Sequence, residues 1–424
     1  MDATENKAYL KNFLTILSGN SISQIIPFFI APILTRIFSP EDFAIYANFI
    51  AITSLFAIIA AGRFELAFVI PKRNAHAQSL FITSCIILGV VFLLSFLLYF
   101  FRTAIAHWYD TPEMADYMIW VPFAIISLAF HSIQENWMLR IQRFKLISSN
   151  RIIQSATANL VPILLSYLLY GVNGLIYGWI LANLISIVLY LPAIKKSWEK
   201  FEFKSKISKL LIYRYRDFPT INSLHAFTDV LATQFLIFWL ITNEYGLLVL
   251  GLFSVMNKYI RAPITLVSSA VSKVYYSEGA KRKRENKNVY ELQKRTLKTT
   301  LIFALPFIVV VIFFAPSIFA WYLGEEWRTA GDYAIIMAPT LFFQFLSSPI
   351  SSSTLIFDKQ KKAYLYSLIG YAAGFAVLLF MSYSAYPFEK TLLAYSITMS
   401  LYYLGMTIWF VSLSKRNLQH ENIG

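Results

Sequence analysis

Apolar residues run in blocks of about twenty along almost the whole chain, the length one helix needs to cross a hydrocarbon core. Twelve such blocks are legible, at about 13–37, 43–62, 78–101, 116–138, 150–170, 175–194, 221–242, 247–270, 298–321, 331–356, 363–383 and 391–413. Several of the breaks between them are tight turns, such as "SPED" at 39–42 and "GVNG" at 171–174, so neighbouring helices run antiparallel. The first block is too long for a signal-peptide core and lacks a small-x-small cleavage site, so it is expected to be a retained span. The pattern predicts an all-α membrane protein with 12 transmembrane helices.

An even number of spans puts both termini on one side, and the basic residues say which. Of the 37 Lys and Arg, 31 fall at the N-terminus, in 63–73, 140–151, 195–216, 273–298 and 359–362, and at the C-terminus, all on one face of this layout. Only Arg36, Arg102, Arg328 and Lys390 fall on the other. Lys and Arg in short loops stay cytoplasmic, so both termini are expected inside. The stretch 196–219, "KSWEKFEFKSKISKLLIYRYRDFP", mixes Lys with aromatic and aliphatic residues and reads as an amphipathic linker along the inner membrane surface. It divides the chain into 1–195 and 220–424, with six spans on each side. The span-turn-span segments 36–49 and 239–253 resemble each other weakly, so two six-helix bundles related by pseudo-symmetry around a central cavity are expected, the arrangement common in transporters.

Composition agrees with a bilayer. The 424 residues are 57% hydrophobic and only 14% charged, with a mean hydropathy of +0.57, far more apolar than a soluble domain of this size. The net charge of +14 would point to nucleic acid in a soluble chain. Here "KRKRENK" at 281–287 abuts a span and is accounted for by topology and by attraction to anionic lipid headgroups, so no nucleic acid is expected. Cys85 is the single cysteine, which excludes an internal disulfide and leaves no thiol metal site. There is no GxxxxGKS or GxxxxGKT, no room for a folded external domain, and hence no direct use of ATP. No cofactor is expected.

Charges inside a bilayer cost at least about 2.5 kcal/mol each and usually face a wet cavity or a partner. The short set here is Arg63 and Glu65, His131, Gln134 and Glu135, Asp229 and Gln234, and Lys258 and Arg261, with Asn159, Asn183 and Gln344 as uncharged members. Arg63 and Glu65 read either as an ion pair snorkelling to the inner headgroups or as a cationic cavity wall. Lys258 and Arg261, three apart and so on one helical face, lie about 15–20 Å from the inner end of their span, too deep to snorkel. They are expected to line a cavity that admits anions, with Pro263 bending the helix beside them. His131 and Glu135, at i and i+4, suit a proton relay or a buried packing pair. Asp229 is a candidate for a coupling proton or cation, or a counter-charge for Lys258 or Arg261. A basic pocket of this kind accepts a nucleotide sugar, an organic anion or a lipid-linked diphosphate, and composition does not choose among them.

The segment "SISQIIPFFIAPILTRIFSPEDFAIYANFIAITSLFAIIAAGRFELAFVIPKRNAHA" at 21–77 resembles the opening of the bacterial polysaccharide repeat-unit flippases. These are the Wzx type within the multidrug/oligosaccharidyl-lipid/polysaccharide exporter superfamily. "YRDFPTINSLHAF" at 215–227 and "GLFSVMNKYIRAPITLVSSAVSKVYYSEGA" at 251–280 are similar to its second half. Ala44 departs from the pattern, standing where relatives often carry Gly. The resemblance implies a multi-pass protein of the bacterial inner membrane that moves an undecaprenyl-diphosphate-linked oligosaccharide from the inner to the outer leaflet for O-antigen or capsule assembly. It further implies that Arg63, the Arg of "GRFELA", and Arg261, ahead of "AP", together with Lys258, bind the diphosphate and sugar end. Membrane lipids, a polysaccharide polymerase and a chain-length regulator are the partners it implies. Two rivals remain. A drug or metabolite antiporter of the same superfamily would concentrate carboxylates in the cavity. A membrane glycosyltransferase or polymerase would use Glu41 and Asp42, although "SPED" equally fits a Pro-led helix start with acids in the first turn.

Overall fold

The computed structural model describes residues 3–168, 171–198, 205–285 and 287–421, and side chains within 18–415 apart from 205–207 and Ile221. Residues 199–204 of the basic linker and Asn286 of the "KRKRENK" stretch lie outside the described residues. No strand occurs among the described residues. The helices are α1 (Ala3–Ile37), α2 (Pro40–Ala60), α3 (Asn74–Phe100), α4 (Arg102–Trp108), α5 (Met114–Tyr117), α6 (Val121–Arg140), α7 (Phe144–Ser166) and α8 (Asn173–Ser197). They continue with α9 (Ser205–Arg214), α10 (Ser223–Val230), α11 (Leu236–Arg284), α12 (Val289–Leu323), α13 (Arg328–Ile350), α14 (Ser353–Ile356), α15 (Gln360–Tyr383) and α16 (Phe388–Glu421). Nine helical stretches among the described residues are long and apolar enough to cross a membrane. One of these, Phe218–Arg284, is 67 residues long and contains two of the apolar blocks read from sequence. The chain is a multi-pass membrane protein.

The packing divides into two compact units, Met1–Gly251 and Leu252–Gly424. In the first, α7 packs between α1 and α8, and α6 packs against α2, α3 and α8. An aromatic cluster ties the ends of α3, α6 and α8 together: Phe81 lies 5.4 Å from Trp137 and 5.7 Å from Phe68, and Trp137 lies 5.5 Å from Trp198, measured between ring centroids. The indole N–H of Trp137 donates to Ser197 Oγ at 2.9 Å, so this large ring is buried without stranding its polar atom. α9 packs on α3, burying Leu211 while Leu210 and Tyr213 stay exposed. Two wider π-helical turns, Phe218–Asn222 and Leu231–Phe235, flank α10.

The second unit packs α13 against α12 and α16, with α15 on α16. Tyr275, Val289, Leu292, Ile350, Ile356, Phe357 and Phe410 form a buried cluster. Beneath it Tyr275 Oη and Ser353 Oγ are 2.7 Å apart, and Gln293 accepts from Ser414. The outer faces are as apolar as the inside: Phe303, Phe313 and Trp321 of α12 are 53%, 71% and 80% exposed. On a helix long and apolar enough to cross a membrane, such side chains suit a surface that faces lipid.

Local chemistry explains where the helices break. Ser39 and Asp42 form a reciprocal cap at the start of α2, with Ser39 N–H donating to Asp42 Oδ2 at 3.1 Å and Asp42 N–H to Ser39 Oγ at 3.2 Å. Pro40 occupies the first helical position, where no N–H is required. Within α11 the one residue with non-helical backbone is Gly246, at φ 85°. Pro263 lies within the helix, and the break in α11 falls at Gly246, between the apolar blocks 221–242 and 247–270, where a residue without Cβ tolerates positive φ. Five residues on, an added Cβ at Gly251 would sit 1.9 Å from the carbonyl oxygen of Pro40. The bare backbone of Gly251 is what lets α11 lie against the start of α2.

Candidate functional site

At the end of α2 the chain takes two consecutive left-handed residues, Gly62 at φ 63° and Arg63 at φ 57°, and turns into a short 3-10 helix, Phe64–Ala67. Arg140 of α6 fastens this turn: its guanidinium donates to the carbonyl oxygens of Phe68 and Pro71, the latter at 3.0 Å, and to Asn74 Oδ1 at 2.9 Å. The turn carries Arg63 and Glu65 into a cavity of about 370 Å³ inside the first unit. His131, Ser132 and Glu135 of α6, Ser54 of α2 and Gln234 of the second π-helical turn share its wall.

Glu135 is held from behind. The Arg151 guanidinium of α7 donates to both its carboxylate oxygens, one of them at 3.1 Å, and also to Asn20 of α1. His131 Nε2 lies 3.6 Å from Glu135 Oε2, and His131 Nδ1 lies 2.8 Å from Ser186 Oγ. That hydroxyl donates to Asn150, and the His131 ring stacks on Tyr190 at 5.7 Å. The network ties α1, α6, α7 and α8 together. Glu65, in the same wall, is 3% exposed. Its Oε2 and the Nε of Arg63 are buried without a hydrogen-bond partner among the described residues. Burial pushes the Glu65 carboxyl above the ordinary carboxylate range, and the Arg63 guanidinium offsets part of that rise.

The structure thus brings Arg63, His131 and Glu135 to one cavity. Asp229 lies on α10, next to the wall residue Val230 but not itself in the wall; its backbone carbonyl accepts from the Thr233 hydroxyl at 2.7 Å. Lys258 and Arg261 belong to the second unit, on the part of α11 beyond Gly246. Lys258 is exposed, its Nζ 5.3 Å from the ring centroid of Tyr259. Arg261 is half-buried, and its Nε is buried with no hydrogen-bond partner among the described residues. Sequence reasoning missed Arg151 by counting it with the basic residues of a cytoplasmic loop. The signal was present in the polar positions Asn150, Gln154 and Asn159 that share its helix, and two of these bond to a neighbouring helix: Gln154 donates to Asn183 at 2.9 Å and Asn150 to the Ser186 carbonyl at 2.8 Å.

A model of the family described as polysaccharide biosynthesis protein matches residues 33–332, a range that contains every residue placed above from Arg63 to Arg261. The chain belongs to the polysaccharide biosynthesis protein family. No curated protein matches it. Among solved structures, the lipid II flippase MurJ in an inward closed conformation superposes with a TM-score of 0.75 at 17% identity, covering 97% of this chain and 92% of MurJ. An inward-facing multidrug resistance transporter of the MATE family, in the MOP superfamily, gives 0.65 at 13% identity over 94% and 96% of the two chains. A MOP superfamily transporter from Pyrococcus furiosus with a binding pocket of reversed polarity gives 0.63 at 14% identity over 96% of each chain. At these identities the likeness establishes the fold, which this family member shares with transporters.

Proposed function

We propose that this protein carries an undecaprenyl-diphosphate-linked oligosaccharide repeat unit from the cytoplasmic to the periplasmic leaflet of the bacterial inner membrane, for O-antigen or capsule assembly. Twelve spans in two six-helix bundles, 1–195 and 220–424, joined by the basic linker 196–219 and with both termini inside, open alternately to either side. It is a carrier, not an enzyme. Family membership and a fold held in common with the lipid II flippase MurJ support the class of cargo.

The observation that carries the assignment of the charged end is the pair Lys258 and Arg261, two cations one helical turn apart on an otherwise apolar stretch of α11. One is exposed, and the other has a buried N–H without a partner among the described residues. Guanidinium and ammonium groups make strong charge-assisted hydrogen bonds to phosphate oxygens, and a buried donor left unpaired is costly until a ligand fills it. Arg63 serves the glycan end, and the candidates for an ion that drives the cycle are His131, Glu135 and Asp229. A polymerase and a chain-length regulator are its proposed partners. The test is the K258A/R261A double variant. Glycan display is expected to be lost, with lipid-linked units accumulating inside, while the protein remains in the membrane; unchanged display refutes the assignment.

A drug or metabolite antiporter is the second reading, favoured by the fold shared with the MATE transporter. It requires that deletion change sensitivity to a small molecule and leave surface glycan intact.

A further inference from the structure

The cavity of the first unit has a chemistry different from that of the pair on α11. Its wall carries two acids and two bases, Glu65, Glu135, Arg63 and His131, and Glu135 is paired with His131 and with Arg151, which stands outside the wall. The guanidinium groups of Arg63 and Arg151 are matched in number by Glu65 and Glu135, and a diphosphate would have to approach both acids. At about 370 Å³ it is far larger than one dehydrated cation requires, and within the range of small-molecule sites. Both a guanidinium and a carboxyl group stand in this wall, Arg63 and Glu65. Arg63 Nε and Glu65 Oε2 are buried and unpaired among the described residues, while Ser54, Ser132 and Gln234 add hydroxyl and amide groups. The remaining wall is aliphatic, with Ala57, Ile58, Leu128 and Val230 among it.

We infer that this cavity is a subsite for an uncharged, hydroxyl-bearing sugar ring of the cargo, separate from the site that holds its diphosphate. A sugar hydroxyl donates and accepts at once, so it satisfies a carboxylate and a guanidinium together, and its C–H faces suit the aliphatic wall. A buried polar pair left unfilled rejects a cargo that lacks the matching groups, which makes the cavity a specificity site rather than a source of bulk affinity. The inference rests on the flippase reading above.

The test uses the full chain in nanodiscs, titrated by tryptophan fluorescence with three probes: a short-chain polyprenyl diphosphate alone, the same lipid bearing one neutral hexose, and the same lipid bearing a hexuronic acid. The wild type is expected to bind the hexose lipid about tenfold tighter than the bare lipid, and the uronate no better than the bare lipid. Glu65→Ala brings the hexose-to-bare ratio close to one and leaves the bare lipid's affinity within about twofold. Gln234→Ala, at a half-buried position, does the same should the buried Glu65 variant fail to fold. K258A/R261A weakens all three probes and preserves the ratio. A wild type that does not distinguish hexose from bare lipid, or that prefers the uronate, overturns the sugar subsite. So does a loss of bare-lipid affinity in Glu65→Ala or Gln234→Ala as large as the loss for the hexose lipid. A wild type that binds none of the probes overturns the flippase reading, and the subsite with it.

Discussion

Arg151 reaches across from α7 to a carboxylate on α6, and Glu135 depends on it. The two side chains are half-buried, 30% and 17% exposed, so removing one member leaves the other charge partly uncompensated and costs less than the ~3–5 kcal/mol of a fully buried pair, whereas removing both is milder still. Arg151→Leu is therefore expected to lower the thermal midpoint of the purified protein sharply, and Arg151→Leu with Glu135→Gln to recover most of the loss. A single variant as stable as wild type would show that the pair holds nothing together. Glu65 gives a prediction of the opposite kind. Its carboxyl is raised above the ordinary value of 4.5 by burial, so the folded protein holds this proton more tightly than the unfolded chain does. Stability is then greatest below 4.5 and falls as pH climbs through the raised value, because ionisation costs more in the fold than out of it. Glu65→Gln removes that slope, and the difference in thermal midpoint between variant and wild type grows from about pH 4 toward neutrality. A difference independent of pH would mean that Glu65 does not titrate in the fold. Both residues were visible in the sequence, Glu65 in the polar set of the spans and Arg151 only as loop charge. The depth of a residue near a helix end depends on where neighbouring helices stop, and one chain's hydropathy does not record that.

Element boundaries are set by short-range chemistry, and here the sequence was most informative. "SPED" reads as a Pro-led start with acids in the first turn, and Ser39, Pro40 and Asp42 cap α2 in that way. Ser39→Ala removes one half of the reciprocal cap and is expected to cost about 1 kcal/mol. It should leave glycan display intact if the acids serve as a cap; loss of display at unchanged stability would reopen a chemical role for this turn. The "GR" of "GRFELA" is legible as a turn only in part. Gly62 announces positive φ, but the left-handed Arg63 beside it belongs to a turn whose later carbonyls, Phe68 and Pro71, are held by Arg140 from 72 and 69 residues away in sequence. Gly246 is legible as well. The blocks 221–242 and 247–270 read from hydropathy meet at that glycine, whose φ of 85° breaks the stretch Leu236–Arg284 into two helices. Pro263, the residue that local rules favour as a breaker, is accommodated within the helix. α7 coincides with a block that reads as a span, but its polar stripe of Asn150, Arg151, Gln154 and Asn159 keeps it out of the set of apolar stretches.

At the scale of the whole molecule, orientation follows from charge, because moving basic loops across the membrane against the potential is what the positive-inside bias avoids. The exposed Arg284 and Lys361 belong to loops expected in the cytoplasm, and the exposed Asp110 and Ser384 to turns on the other side. With Cys85 the single native thiol, Cys85→Ser gives a background without one, in which single cysteines report side directly. Asp110→Cys and Ser384→Cys are expected to react with a membrane-impermeant maleimide in intact spheroplasts. Arg284→Cys and Lys361→Cys are expected to react only after the membrane is opened. Asp110 belongs to the first compact unit and the other three positions to the second, so each half is sampled. If Asp110 and Arg284 gave the expected sides while Ser384 and Lys361 were exchanged, the number of crossings between Arg284 and Lys361 would be odd. That result would break the twelve-span layout in the second half, and with it an inward C-terminus. Agreement at all four positions puts the basic loops on the cytoplasmic face, the face from which the flippase reading has cargo enter.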